Sequence, residues 1–139
     1  MTYALSSTVR MPFAQALDAT RAALEEQGFG VLTEIDLAAT LKEKLGADIA
    51  PQVILGACRP PLAKAALDAE PSIGLLLPCN VVVRAVDDAS TLVEAMDPDI
   101  MVTLTANDAL AEVAADARQR LGAALDALVP GATSDFLPR

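Results

Sequence analysis

Histidine is absent from this chain, and aromatic residues make up only 3% of it. Without histidine there is no Ser-His-Asp or Cys-His catalytic arrangement and no imidazole ligand for a metal ion. The chemistry open to the chain is therefore limited to carboxylates, thiols, lysine, arginine, tyrosine and backbone groups. Because 53% of the residues are hydrophobic and few of these are aromatic, alanine and aliphatic side chains must fill the core.

Basic residues are also scarce: ten Lys and Arg face nineteen Asp and Glu, for a formal net charge of −9. Nucleic-acid binding and attachment to an anionic membrane surface both need clustered positive charge. The longest strongly apolar run, residues 73–83, is broken by Pro78 and Asn80 and is far shorter than the roughly 20 residues of a membrane helix. We therefore expect no nucleic-acid partner and no membrane partner.

The two cysteines, Cys58 and Cys79, are the only thiols. No basic region followed by an apolar stretch opens the sequence, so we expect a cytoplasmic protein. In that reducing compartment the cysteines are expected to be thiols rather than a structural disulfide. Two cysteines without histidine are a poor zinc set, and no glycine-rich loop leads into a helix, so we expect no metal site and no cofactor.

Hydrophobic periodicity, glycines and prolines predict the order β-α-β-α-β-α-β-β-α in a single domain over residues 1–129. The predicted strands cover 2–9, 30–35, 52–57, 75–86 and 91–95, and the predicted helices cover 12–27, 37–45, 60–69 and 107–128, with a turn or single helical turn over 97–101. This order favours an α/β (α+β) fold in two layers, a single mixed sheet with helices packed mainly on one face. Pro78, inside the strand at 75–86, predicts a bulge or a sheet edge.

The C-terminal tail, residues 130–139, contains Phe136 and Leu137, two apolar residues that a solvated tail does not need. In isolation, the conformational entropy lost by ordering about ten residues outweighs the free energy gained by burying this pair. We therefore expect the tail to order only by docking along an existing groove, with a frayed terminus as the alternative.

Cys58 follows an apolar strand and directly precedes the helix that begins at Pro60. A thiolate there faces the positive end of the helix dipole and its free amide hydrogens, and Arg59 adds positive charge. Cys58 is thus a candidate nucleophile or redox centre. The alternative is a small buried residue that fills space under the helix.

Cys79 and Asn80 follow Pro78 at the start of the next strand. If the third and fourth strands are neighbours, the two thiols come close enough for a reversible disulfide or a soft-metal pair. Asn80 then points a polar group into the same cleft, or else is only a turn residue. Sequence leaves the strand order open.

Glu34 and Asp36 flank Ile35 and face the same side of a strand. They form a candidate paired-carboxylate, ligand-binding site, with Lys42 or Lys44 on the following helix. The alternative makes Asp36 the cap of that helix and Glu34 a surface acid.

Four short motifs in order resemble one known family. They are Gly28–Asp36 with Thr40–Gly46, Ile54–Cys58 before Pro60, Gly74–Val83, and Met96–Pro98. Together they resemble the domain-of-unknown-function family 302 (DUF302), small bacterial and archaeal proteins, over roughly residues 11–128. The resemblance implies a compact α/β fold and homodimers, and it brings no established activity. Arg59 and the second proline, Pro61, depart from the pattern.

These observations favour a homodimeric module that binds or senses a small-molecule ligand near Cys58, Arg59, Cys79 and Asn80. A thiol-dependent enzyme or redox protein in which Cys58 reacts and Cys79 resolves is the first alternative. The missing histidine weighs against it, because no general base is evident. A structural interaction subunit, whose cysteines only pack, is the second alternative.

Overall fold

The computed structural model describes residues 3–129, which form five strands and five helices. The strands are β1 (Ala4–Val9), β2 (Gly30–Asp36), β3 (Gln52–Cys58), β4 (Cys79–Ala85) and β5 (Thr91–Met96). The helices are α1 (Phe13–Glu26), α2 (Leu37–Leu45), α3 (Pro60–Ala69), α4 (Asp99–Thr105) and α5 (Ala111–Ala127). Two 3₁₀ segments, Pro71–Leu76 and Asp108–Leu110, precede β4 and α5.

The strands make one sheet in the order β1-β5-β4-β3-β2. The two-layer α/β fold is confirmed, but the expected mixed pairing is wrong, since all four strand pairs in residues 3–129 are antiparallel. The reason lies in the first crossover. β1 and β2 run in the same direction, yet α1 carries the chain across the whole sheet and leaves them on opposite edges. The parallel pair that a β-α-β order favours is therefore never formed.

One face of the sheet is buried under α1 and α5. Alternate residues of the four strands β1, β3, β4 and β5 point into this layer, as period-2 side-chain geometry requires. The main core cluster contains Leu5, Val9, Val53, Leu55, Val81, Val83, Val93 and Ala95 from these strands and Ala16, Leu24, Leu121 and Leu125 from the two helices. The opposite face carries the intervening residues, which are exposed or half-buried apart from Gly56.

A second, smaller core cluster lies under α3, α4 and the start of α5. Its buried members are Ala66, Ile73, Met101, Leu110 and Ala114. Arg118 of α5 ties this part of the molecule to the end of β5, because its Nε donates to Asp97 Oδ2 at 3.3 Å. The two clusters meet where β3 and β4 run towards α3, and that junction positions the site.

The strand expected over 75–86 begins later, at Cys79, and β4 is the central strand rather than an edge. Pro71 starts a 3₁₀ segment instead, in which the amide of Ile73 donates to Glu70 O and the Ile73 side chain is fully buried. Pro78 precedes the strand, so its lack of an amide hydrogen does not remove a backbone hydrogen bond from the sheet. The irregularity of the sheet lies in edge strand β2, between Val31 and Thr33.

The C-terminal helix is shorter than predicted. Ala106 takes a left-handed conformation (φ 52°) that ends α4, and Asn107 then caps a 3₁₀ turn through its side chain, which accepts from the Ala109 amide. The segment after Asp97 is a helix of 7 residues rather than a single turn.

Within residues 3–129, no helix is long and apolar enough to cross a membrane. The expected docking of the tail at 130–139 falls outside the described residues.

Candidate functional site

The sharp passage from β3 into α3 positions Cys58 and Arg59. β3 ends at Cys58 and α3 begins at Pro60, whose fixed φ suits a first helical residue. Pro60 and Pro61 have no amide hydrogen, and the amides of Leu62 and Ala63 both donate to the Arg59 carbonyl at 3.0 Å. The expected free amides at this helix start are therefore not there, and they do not stabilise a Cys58 thiolate. The nearby positive charge comes from Arg59 itself.

The pairing of β3 with β4 brings the two cysteines to the same end of the sheet. Cys79 lies opposite Ala57, so Cys58 is the next residue along the neighbouring strand. Both cysteines are free, Cys79 buried and Cys58 half-buried. The condition set by the sequence, that the third and fourth strands are neighbours, is met.

Both cysteines line a cavity at the junction of the two core clusters. Its volume is about 30 Å³, room for about two water molecules. The lining residues are Phe29, Ala57, Cys58, Arg59, Leu62, Ala63, Ala66, Leu77, Pro78, Cys79, Met101, Val113 and Ala117. Four alanines leave this space open, because larger side chains at those positions would fill it. Apart from Arg59 and the thiols, the described side chains that line it are apolar.

Arg59 is unusual in its hydrogen bonding. Within residues 3–129, its Nε is the buried side-chain nitrogen that has no hydrogen-bond partner. The side chain lies over Gly28, where an added Cβ would come within 3.0 Å of Arg59 Nε. Gly28 also has a φ of +83°, which favours glycine. A buried donor without an acceptor is costly, so this nitrogen is a candidate contact for an anionic or electron-rich ligand.

Burial dominates the chemistry of Cys79. Burial, followed by the smaller effect of the neighbouring Cys58, raises the pKa of the thiol from 9.0 to about 11. At neutral pH Cys79 is therefore protonated and a weak nucleophile. A ligand that binds the Cys79 thiolate must displace this proton.

The carboxylates named from the sequence lie elsewhere. Gly30, at the start of β2, pairs with Cys58, whereas Glu34 is four residues, about 13 Å, further along the strand. Glu34 accepts from Arg21 Nε at 3.0 Å, and Asp36 caps α2 by accepting from the Ala39 amide at 2.9 Å. Each carboxylate has a structural role at the far end of β2.

Asn80 also lies away from the thiols. It pairs with Gly56 and is exposed on the uncovered face of the sheet. There it lines a shallow groove of about 190 Å³ with Tyr3, Val82 and Met96.

Met101 is the site residue that sequence reasoning missed. It lies on α4, is only 2% exposed, and lines the same cavity as the two thiols. The sequence signal was weak, since a methionine one turn after Pro98 reads as an ordinary core residue. In the part of the chain that the structure describes, no three cysteine, aspartate or glutamate residues cluster as a metal site.

The fold and the site define a two-layer α/β protein with an antiparallel sheet and a small cavity bearing two thiols and a thioether. Residues 5–128 match the family described as Domain of unknown function DUF302, and the chain belongs to this family. It is similar to the uncharacterized conserved protein DUF302 from Bacillus stearothermophilus, whose crystal structure superposes with a TM-score of 0.84. That similarity has 31% identity and covers 92% of this chain and 99% of the other. No curated protein matches the chain.

Proposed function

We propose that the protein is a binding or sensing module whose ligand site is the cavity bounded by Cys58, Arg59 and Cys79. The observation that carries the proposal is that Arg59, whose buried Nε has no hydrogen-bond partner within residues 3–129, lines the same cavity as both thiols. Native proteins satisfy nearly all buried donors, so an unsatisfied donor on a residue that shares a cavity with two thiols favours a ligand site.

The size of the cavity limits the ligand. Pockets for organic ligands measure about 300–1,000 Å³, whereas this cavity measures about 30 Å³. The closed form therefore accepts an ion or a molecule of a few atoms. The larger groove beside Asn80 lies open on the sheet surface and has no thiol and no unpartnered buried donor, so it is the weaker candidate.

A thiol-dependent enzyme is less well supported. Its resolving thiol would be Cys79, and a pKa of about 11 keeps that group protonated at neutral pH. The free thiols suit a reducing compartment, and we propose a cytoplasmic location on that ground.

Access to the cavity is tested by alkylating the native protein with iodoacetamide and locating the label by mass spectrometry. We expect Cys58 to react first and Cys79 only after denaturation. Ala63→Val narrows the cavity and should slow the Cys58 reaction. Ala65→Val is the matched control, since Ala65 is half-buried on the same helix but does not line the cavity. Equal Cys58 rates in the two variants would show that the cavity is not the route to the thiol.

We also propose that two copies of the chain pair through the uncovered face of the sheet. Tyr3 is 60% exposed there and Ile35 46%, and Val82 and Met96 are half-buried. Arg84 and Glu94 form an ion pair at 3.1 Å on this face. The face is therefore locally balanced in charge and can meet its own copy despite the net charge of −9.

Five strands at about 4.8 Å spacing and six or seven residues in length give roughly 500 Å² per copy and about 1,000 Å² in all. That area predicts a dimer that dissociates on dilution. Light scattering should give a mass near twice 14.4 kDa at high concentration. Val82→Glu should give monomers, whereas Leu75→Glu, at an exposed position away from the sheet, should not. A monomeric wild-type chain at all micromolar concentrations would contradict the pairing.

A further inference from the structure

Three sulfur atoms of two kinds border the cavity. Cys58 and Cys79 provide thiols from adjacent strands, and Met101 provides a thioether from α4. The rest of the lining holds no carboxylate and, apart from Arg59, no charged side chain. Hard cations such as Mg²⁺ and Ca²⁺ require oxygen ligands, which this lining lacks. Soft thiolate and thioether ligands instead select Cu(I).

We propose that the cavity binds one cuprous ion, Cu(I), through Cys58, Cys79 and Met101. This inference rests on the proposed function, because it names the ligand of the same cavity. The ion is smaller than a water molecule and fits the available space of about 30 Å³. Zinc fits less well, since its structural sites need four ligands and this lining offers three sulfur atoms.

The charge of the site favours a monovalent ion. Binding follows Cu⁺ + 2 RSH → [RS–Cu–SR]⁻ + 2 H⁺, so both thiol protons leave and the complex carries one negative charge. The metal forms its bonds with sulfur lone pairs, and no electron is transferred. Arg59 lines the cavity and provides the matching positive charge, and within residues 3–129 its buried Nε has no hydrogen-bond partner.

The donor set also suits a metal bridge better than a disulfide. Cys58 and Cys79 line the same cavity but are not directly opposite each other in the β3–β4 ladder. The buried thioether of Met101 adds a third donor that a disulfide would not use.

The test is a competition titration of the reduced full-length chain with Cu(I), without oxygen, against the chromophoric Cu(I) chelator bathocuproine disulfonate. We expect the protein to withdraw one Cu(I) per chain and to gain near-ultraviolet thiolate-to-copper absorption. Cys58→Ser and Cys79→Ser should abolish the withdrawal. Met101→Leu should weaken it, whereas Met96→Leu, on the uncovered sheet face, should leave it unchanged.

Arg59→Gln should lower the Cu(I) affinity by about 10–100-fold, as loss of an outer-shell partner does in other metal sites. Affinity should also rise by about tenfold for each pH unit and each proton displaced. The ionisable groups that line the cavity are Cys58, Cys79 and Arg59.

A measurement on the wild-type chain covers the case in which a cysteine variant does not fold. Bound Cu(I) should protect Cys58, the thiol that reacts in the native protein, from iodoacetamide. The proposal is overturned if the protein withdraws no Cu(I), if Cys58 stays as reactive with Cu(I) bound as without it, or if Met101→Leu and Met96→Leu behave alike. If the Ala63→Val experiment succeeds while Cu(I) fails, the cavity remains the site and the metal is wrong. If both fail, the cavity is not the site.

Discussion

Cys79 lies directly opposite Ala57 in the β3–β4 ladder, which places its thiol one residue from Cys58 on the neighbouring strand. Ala57 and Cys79 are 22 residues apart in sequence, separated by α3 and a 3₁₀ segment. That connection supplies six of the residues that line the cavity, from Arg59 to Pro78, and α4 and α5 supply Met101, Val113 and Ala117. The cavity therefore lies between the β3–β4 connection and these two helices.

The raised pKa of Cys79 predicts a loss of stability in alkali. The thiol has a pKa of 9.0 in the unfolded chain and about 11 in the fold. Below pH 9 the thiol is protonated in both states, so its titration does not lower the free energy of unfolding there. Between pH 9 and 11 the unfolded state loses its proton first, and the free energy of unfolding falls by about 1.4 kcal/mol per pH unit.

Urea unfolding at several pH values between 8 and 11 measures this slope. The wild-type chain should lose on the order of 2–3 kcal/mol more than Cys79→Ala across the range. Other groups that titrate in this range are shared by both proteins and cancel in the difference. Parallel curves for the two proteins would show that Cys79 titrates in the fold as it does in the unfolded chain.

The close packing around Gly56 leaves no room for a side chain at that position. A Cβ built there would collide with Thr33 Oγ1 and would lie 2.8 Å from Pro78 Cγ. Gly56→Ala should therefore lower stability by about 1–3 kcal/mol. Gly74→Ala is the control, because a Cβ at Gly74 meets nothing within 4 Å. Thermal unfolding measures both, and similar melting temperatures for the two variants would contradict the close approach.

The ion pair between Asp97 and Arg118 should contribute more to the free energy of unfolding than an exposed surface pair does. The two side chains are only 14% and 21% exposed, and Asp97 Oδ1 also accepts from the Asp99 amide at 3.0 Å. Asp97→Ala should cost about 1.5–3 kcal/mol, as loss of a charged hydrogen-bond partner does. Asp68→Ala is the control, since Asp68 and Lys64 are both mostly exposed and such pairs contribute about 0–1 kcal/mol. Urea midpoints that fall equally in the two variants would show that the Asp97–Arg118 pair contributes no more to stability than an exposed pair.

Local signals predicted some elements closely. α2 covers Leu37–Leu45 as expected, because Asp36 caps its start and Gly46, with a φ of 67°, ends it. α3 likewise starts at Pro60 and ends before Glu70. In these cases the residues that set the helix boundary are neighbours in sequence, so the local sequence pattern is enough to predict where the helix begins and ends.

Other features depend on distant contacts and were not predictable. Residues 75–77 are as aliphatic as a strand, yet they lie outside the sheet because Ile73 is drawn into the second core cluster. The pairing of β1 with β5 joins residues about ninety positions apart. Met101 lines the cavity only through the packing of α4, so no spacing in the sequence marks it as a site residue.

The central claim is that Cys58 and Cys79 share one cavity that admits a small ligand. Arsenous acid tests it most directly, because As(III) bonds to two thiol sulfurs and releases two water molecules: As(OH)₃ + 2 RSH → RS–As(OH)–SR + 2 H₂O. Native mass spectrometry of the treated chain should show one arsenic per chain, and neither Cys58→Ser nor Cys79→Ser should retain it. A native chain that binds no arsenic, and gains it only after denaturation, would contradict the claim.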